Sequence, residues 1–196
     1  ALDTRAYAVA NRPVTNMALG PMQQTGGELD ISVDGLGWIA VQSSMGESYV
    51  KSAQMSIDAL GALRDGRGNQ VIGNSGPIAI PEAEKVEIGS DGTISIRALG
   101  QGPEALVEVD RIKLVNPSDE NLSKGDDGQI YSNDETEAVD ASIRIRQGFV
   151  EASNVSAVEE LTSIVSLARQ FELQVKMMQT LGDMTDTASQ LLRVQV

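Results

Sequence analysis

Ser156-Ala-Val-Glu-Glu-Leu-Thr-Ser-Ile-Val-Ser-Leu-Ala-Arg-Gln-Phe-Glu-Leu-Gln-Val-Lys-Met-Met-Gln-Thr-Leu181 carries the clearest periodicity in the chain. Within it Val158, Leu161, Val165, Ala168, Phe171, Val175, Met178 and Leu181 recur at steps of three and four, the spacing that lines one face of an α-helix. Ser156, three residues before Glu159, forms a capping-box pattern in which each side chain can satisfy the other's backbone N–H. At 1.5 Å per residue the stretch from Val155 to Leu181 reaches roughly 40 Å, longer than a compact domain of this size needs. The pattern predicts a long C-terminal helix whose apolar face wants a partner. Packing across the chain's own sheet is the competing expectation. Past Leu181, Gly182 interrupts the pattern and Asp183 can cap a final short helix carrying Met184, Ala188, Leu191 and Leu192, so a kink and a continuous helix are both open.

Upstream of the helix the period changes to two. Leu29, Ile31 and Val33 alternate with polar neighbours, and Trp38 to Val41 follows the Gly35-Leu-Gly37 turn. Val86-Glu-Ile88, a Gly89-Ser-Asp-Gly92 turn and Thr93-Ile-Ser-Ile96 form the clearest hairpin, because Gly92 can take the positive φ of a tight turn. Further strands are expected at Ile78 to Ile80, Leu106 to Val109, Ile112 to Val115, Gln129 to Tyr131, Ile143 to Ile145 and Gly148 to Val150. Pro77 and Pro81 bracket the first of these and place it at an edge. Many short strands between Gly, Asn and Asp turns predict a mainly β chain, an all-β sandwich or barrel-like domain with the helix appended. The expected division is an extended arm over 1–25, a β domain over 26–153 and a helical segment over 154–196. Ser118 to Asp140 holds eight acids and one Lys and reads as a solvated loop or surface hairpin.

Composition narrows the function. The 196 residues carry 28 acids and 15 bases, a net charge of −13. Such a chain is repelled by nucleic acid and by anionic membranes, and no basic patch offsets the repulsion. From Asn154 onward five acids and three bases leave a net −2, so −11 falls on the rest and the helix is the least self-repelling segment. With 41% hydrophobic residues a real core is within reach. No apolar run approaches the roughly eighteen residues of a membrane span.

Candidate chemical sites fail one by one. There is no Cys and no His, which removes thiolate catalysis, disulfides, the common zinc sites and the usual general base near neutral pH. An EF-hand loop starting at Asp65 would put Arg67, Gln70 and Gly76 where Asp, Gly and Glu belong. One starting at Asp126 puts Gly128 at a ligand position. A carboxylate pair for glycoside hydrolysis can always be found among so many acids, but 3% aromatic content leaves little to line a sugar cleft. Gly61 and the glycines from Gly66 to Gly76 lie among strands and read as turns, not as a phosphate cradle. No catalytic residue, cofactor or metal site is expected.

The run Glu151-Ala-Ser-Asn-Val155, Val158-Glu-Glu-Leu161, Ile164 and Ala168-Arg-Gln-Phe-Glu172 resembles the C-terminal signature of the bacterial flagellar rod and hook proteins. Arg169-Gln-Phe-Glu-Leu-Gln-Val-Lys-Met-Met178 and the ending Gln190-Leu-Leu-Arg193 are most similar to the family's proximal-rod members. Leu29-Asp-Ile-Ser-Val-Asp-Gly-Leu-Gly-Trp-Ile-Ala-Val41, Tyr49-Val-Lys-Ser-Ala-Gln-Met-Ser-Ile57 and Gly61-Ala-Leu-Arg-Asp-Gly-Arg-Gly-Asn-Gln-Val-Ile-Gly73 extend the likeness upstream in order. The resemblance implies a structural subunit of the periplasmic rod, exported by the flagellar type III apparatus and assembling with other rod proteins and copies of itself. It implies that Val158, Leu161, Val165, Ala168, Phe171, Val175, Met178 and Leu181 form the assembly interface, inside the tube, with the β domain outside. Family members begin with a helix ending near an Asn-Leu-Ala-Asn run and a Thr-Pro-Gly-Phe-like turn, which this sequence lacks. The sequence, which opens at Ala1, is therefore expected to be an N-terminally shortened piece. A distal-rod or hook-like subunit and an acidic β domain binding cell-wall carbohydrate are the alternatives.

Overall fold

The computed structural model describes residues 15–102, 105–134 and 136–194, with the side chains of 186 and 189–194 left aside. The chain divides into two units that meet at Ala152 and Ser153. The first contains β1 (Met22–Gln24), β2 (Asp30–Val33), β3 (Trp38–Ser43), β4 (Gly46–Val50), β5 (Ser52–Gln54), β6 (Ser56–Ile57), β7 (Leu63–Arg64), β8 (Gln70–Gly73) and β9 (Gly76–Pro77). It continues with β10 (Ala83–Ile88), β11 (Thr93–Ala98), β12 (Leu106–Arg111), β13 (Leu114–Val115), a 3-10 turn at Asp119–Asn121, β14 (Leu122–Lys124), β15 (Ile130–Ser132), β16 (Ile145–Gln147) and β17 (Phe149–Glu151). The second unit is one helix, α1 (Ala157–Val194).

β3 is the centre of the β unit. β4 pairs along one edge, while β13 and β8 share the other, since Ile39 faces both Val50 and Leu114 and Val41 faces both Ser48 and Val71. The Trp38-Ile-Ala-Val41 run is apolar on both sides because both sides are covered. Ile39 and Val41 join Ile31, Leu63, Ile78, Ile94 and Leu114 in the main core, whereas Trp38 and Ala40 join Tyr49, Ile72, Val115 and Leu122 on the other face. A short continuous apolar run is the sequence mark of such a doubly buried strand. Three further sheets, β10-β11-β12, β16-β2-β5 and β1-β17, complete the unit. The sheets are open, so the barrel-like alternative is corrected.

The expected hairpin forms as β10 and β11, with Ile88 opposite Ile94 and Gly92 at φ +88° in the turn. The strand expected at Ile78 to Ile80 is corrected. Ile78 and Ile80 are buried core plugs, and their carbonyl and amide meet Leu63 and Gly61, but the ladder amounts to one bridge, Ala62 to Ala79. Prolines at 77 and 81 remove the donors that would lengthen it. The strands expected at Ile112 and Ile143 start later, at Leu114 and Ile145. The acidic stretch from Ser118 holds the surface hairpin β14 and β15, pinned to the core by buried Leu122 and by Ile130 opposite Tyr49.

One buried charge pair stands out. Lys113 Nζ donates to both carboxylate oxygens of Glu47 at 2.7 and 2.9 Å, and the Tyr49 hydroxyl donates to Glu47 Oε1 at 3.1 Å. Burial, with the nearby Glu47 charge second, pushes the Tyr49 phenol well above its ordinary range. The pair fastens β4 to the segment entering β13. The three side chains satisfy one another and so act as a cross-link.

Candidate functional site

The α1 helix starts where the sequence marks it. Glu159 N–H donates to Ser156 Oγ at 3.5 Å and Glu160 N–H to the Ser156 carbonyl at 3.0 Å, and Glu159 and Glu160 put negative charge at the positive end of the helix dipole. The helix then runs without a break through Gly182, so the continuous alternative is the one observed. A Cβ added at Gly182 would meet no heavy atom within 4 Å.

Every expected interface residue lies on this helix, and all but Val175, which is half-buried, are open to solvent. Val158 is 71% exposed, Leu161 62%, Val165 51%, Phe171 66%, Met178 63% and Leu181 56%. Sequence reasoning missed how far the apolar surface spreads. Ile164, Leu167, Leu173, Met177 and Met184 are also exposed. At about 100° per residue Leu173, Met177 and Met184 project roughly 120–160° round the helix from Leu161. Leu181 lies as far round from Leu161 and Met184 follows it by three, so the chosen spacing itself drifts round the helix; Leu173 and Met177 fall between its members, and counting large apolar side chains on all faces would have found them. The threonines add to the effect. Thr162, Thr180, Thr185 and Thr187 turn their hydroxyls back to carbonyls three or four residues earlier, which leaves their methyl groups outward. Large apolar side chains are thus exposed on more than one side of the described helix.

The root of this segment is clamped within the β unit. β1 runs antiparallel to β17, with Met22 opposite Glu151 and Gln24 opposite Phe149. Ala152 N–H donates to the Pro21 carbonyl at 2.9 Å and Gly20 N–H to Glu151 Oε1 at 2.7 Å. The incoming arm and the outgoing chain therefore lie side by side at Ala152.

The competing carbohydrate reading needs an open aromatic face. Trp38 is buried, and Lys51 Nζ sits 4.4 Å from its ring centroid, so the indole is occupied by a cation that burial itself makes easier to deprotonate. Asp65, the first position tested for calcium, instead caps its own turn, accepting from Arg67 N–H, Asn69 N–H and Asn69 Nδ2. Asp127 is held below the usual carboxylate range by the Tyr131 hydroxyl. Among the described residues no group of three or more acids is arranged to hold a metal ion, and no helix is long and apolar enough to cross a membrane.

Comparison with known proteins gives the family. Residues 146–191 match the family described as flagellar basal body rod FlgEFG protein C-terminal, which spans β16, β17 and most of α1. The flagellar basal-body rod protein FlgF of Escherichia coli K12 is 36% identical over 199 residues, covering 97% of this chain and 79% of the relative. FlgF of Salmonella typhimurium is 35% identical with the same coverage. FlgG of Buchnera aphidicola from Schizaphis graminum is 29% identical over 92% of this chain and 72% of the relative. On the length and strength of the FlgF matches, with β unit and helix both covered, the chain belongs to the FlgF flagellar basal-body rod proteins and is a structural subunit of the proximal rod in the bacterial basal body.

Proposed function

We propose that the subunit joins the rod through α1. Val158, Leu161, Val165, Ala168, Phe171, Val175, Met178 and Leu181 form its assembly interface, with Ile164, Leu167, Leu173, Met177 and Met184 extending it. Other rod proteins and copies of this chain are the partners. In this reading 154–196 builds the core of the periplasmic shaft that carries torque to the hook, 26–153 packs outside it, and 1–25 is the arm between them. The role is mechanical and involves no catalysis.

The observation that carries the reading is a 38-residue helix on which the large apolar side chains described from Val158 to Met184, Val175 excepted, stand in water. Fully burying a Leu, Val, Phe or Met side chain is worth about 1.5–3 kcal/mol, so the unassembled helix forgoes many times that amount and recovers it on packing. Low charge helps: the segment carries a net −2 against −11 for the rest. Phe171→Asp or Val165→Asp places a charge in that surface without touching the β core. The variant is expected to fold with an unchanged β-unit melting transition and to be absent from purified basal bodies. Normal swimming and normal incorporation would refute the assignment. Loss of the β-unit transition would mean that these residues cover the chain's own sheet instead.

A further inference from the structure

We propose that Met177, Met178 and Met184 are oxidation sites that gate assembly: while α1 is free their thioethers react with peroxide, and the sulfoxides formed keep the subunit out of the rod. The inference rests on the helix interface proposed above and adds a chemical control to it.

The seven methionines of the chain differ sharply in their surroundings. Met177, Met178 and Met184 are 63%, 63% and 64% exposed on α1, and Met45 is 69% exposed in the turn between β3 and β4. Met55 lies in the main core, Met17 packs against the second core cluster, and Met22 Sδ accepts a hydrogen bond from the Ser32 hydroxyl at 3.2 Å. Four methionines thus stand more than half exposed, and three of them share one helix. The chain has no cysteine, so no thiolate competes for an oxidant and thioethers are its only sulfur.

The step balances with peroxide as the sole co-reactant. A sulfur lone pair takes one oxygen from hydrogen peroxide, the O–O bond breaks and water leaves, so sulfur loses two electrons and the peroxide gains them. The product side chain is polar and chiral where the thioether was flexible and apolar.

Position makes the change costly on α1. Met177 and Met184, seven residues apart, lie within about 20° of one line along the helix, and Met178 stands about 100° away. Oxidation on either line puts an oxygen acceptor where packing needs an apolar surface, and a buried acceptor without a donor is expensive. The nearby Thr180 hydroxyl is already committed, donating to the Lys176 carbonyl at 2.9 Å. Once α1 is packed the same thioethers are out of reach of the oxidant. Oxidation therefore removes damaged subunits before assembly and leaves built rods intact.

The test sets two full-length proteins against each other in one cell, wild type and the M177L/M178L/M184L variant, so that general damage by peroxide falls on both. Basal bodies and the unassembled pool would be digested, and both forms and their sulfoxides counted by mass spectrometry, with and without hydrogen peroxide during rod growth. At a dose that oxidises Met45, the free wild-type pool is expected to carry sulfoxide at Met177, Met178 and Met184 and to keep Met55 intact. The rod ratio should shift toward the leucine variant about tenfold, the factor that burial of one Met side chain supplies. M45L in place of the triple variant should leave the ratio unchanged. No sulfoxide on α1 in a free pool oxidised at Met45, an unshifted ratio despite sulfoxide on α1, or an equal shift with M45L would each overturn the gate and leave the rod assignment standing. Should leucine itself disturb packing, wild type alone decides: α1 sulfoxide as abundant in rods as in the free pool overturns the gate. Absence of wild type from basal bodies without peroxide would remove the assembly reading and the gate with it.

Discussion

The β unit and the helix use the same apolar residue types to opposite ends. In the β unit Ile31, Ile39, Leu63, Ile78, Ile94 and Ile112 are all but inaccessible, while on α1 Leu161, Ile164, Leu167, Leu173 and Leu181 all stand more than half exposed. The β unit closes a core of its own, although Leu36 and Leu60 stand outside it. The helix has the composition of a core element and the surroundings of a surface one, and a polymer subunit is the setting in which that mismatch is resolved. The contrast teaches that burial, read segment by segment, separates what a subunit needs in order to fold from what it needs in order to assemble.

Substitutions in the two regions should therefore have uncoupled consequences. The largest expected effect is that of Phe171→Asp on assembly, a complete loss of rod incorporation with no change in the β-unit melting curve. A parallel loss of melting would erase the contrast. Next is the buried ion pair. Lys113→Ala leaves the Glu47 carboxylate in a nearly closed site without its cation, with only the Tyr49 hydroxyl still donating to it, and should cost about 3–5 kcal/mol of β-unit stability in urea. Glu47→Gln combined with Lys113→Met should recover part of that, and a double variant whose cost equals the sum of the two single-variant costs would show that the pair contributes no coupling.

Acid should act on the same unit. The Arg64 guanidinium lowers the Asp58 pKa, and the hydroxyls of Thr93, Tyr131 and Ser142 lower those of Asp91, Asp127 and Asp140. A carboxylate depressed in the folded state contributes stability that is present above its unfolded pKa, about 3.9, and is lost as pH falls through the folded value. Melting temperatures of the β unit should accordingly hold from neutral pH to about 4 and then fall, whereas a fall centred near pH 6 would contradict these contacts. The smallest effect expected is that of Gly182→Ala. With open space around the position in the free chain, alanine should raise helix stability by up to about 1 kcal/mol, visible in the circular-dichroism melt. A loss of rod assembly in that variant would sharpen the contrast further, since it would show a close approach made only between subunits.

Legibility in the sequence followed the same divide. The helix and the β10–β11 hairpin each announce themselves through a local rule, period 3.6 with Ser156 at the start and period 2 around a glycine turn. Strands β4 to β8 do not. Gly46-Glu-Ser-Tyr-Val50 mixes small, charged and aromatic residues, and its place is fixed by pairing to β3 and by Lys113, more than sixty residues away in sequence. Ile78-Ala-Ile80 misled in the other direction, because alternation set its side chains inward while flanking prolines stopped the ladder. The residues proposed for the interface were chosen by spacing, but the width of the apolar surface was not legible that way, since Leu173 and Met177 fall between the chosen positions. β1 was read only as part of an arm without periodicity, its pairing with β17 being a contact across more than 120 positions.

The central claim is that this chain is built into the rod by its helix. The most direct test is electron microscopy of basal bodies from a strain lacking the gene, complemented with either the wild-type or the Phe171→Asp full-length protein. Rods that are missing or stop short in the deletion and in the Phe171→Asp strain, and return with the wild type, are the predicted result. Intact rods and hooks in the deletion strain would contradict the account.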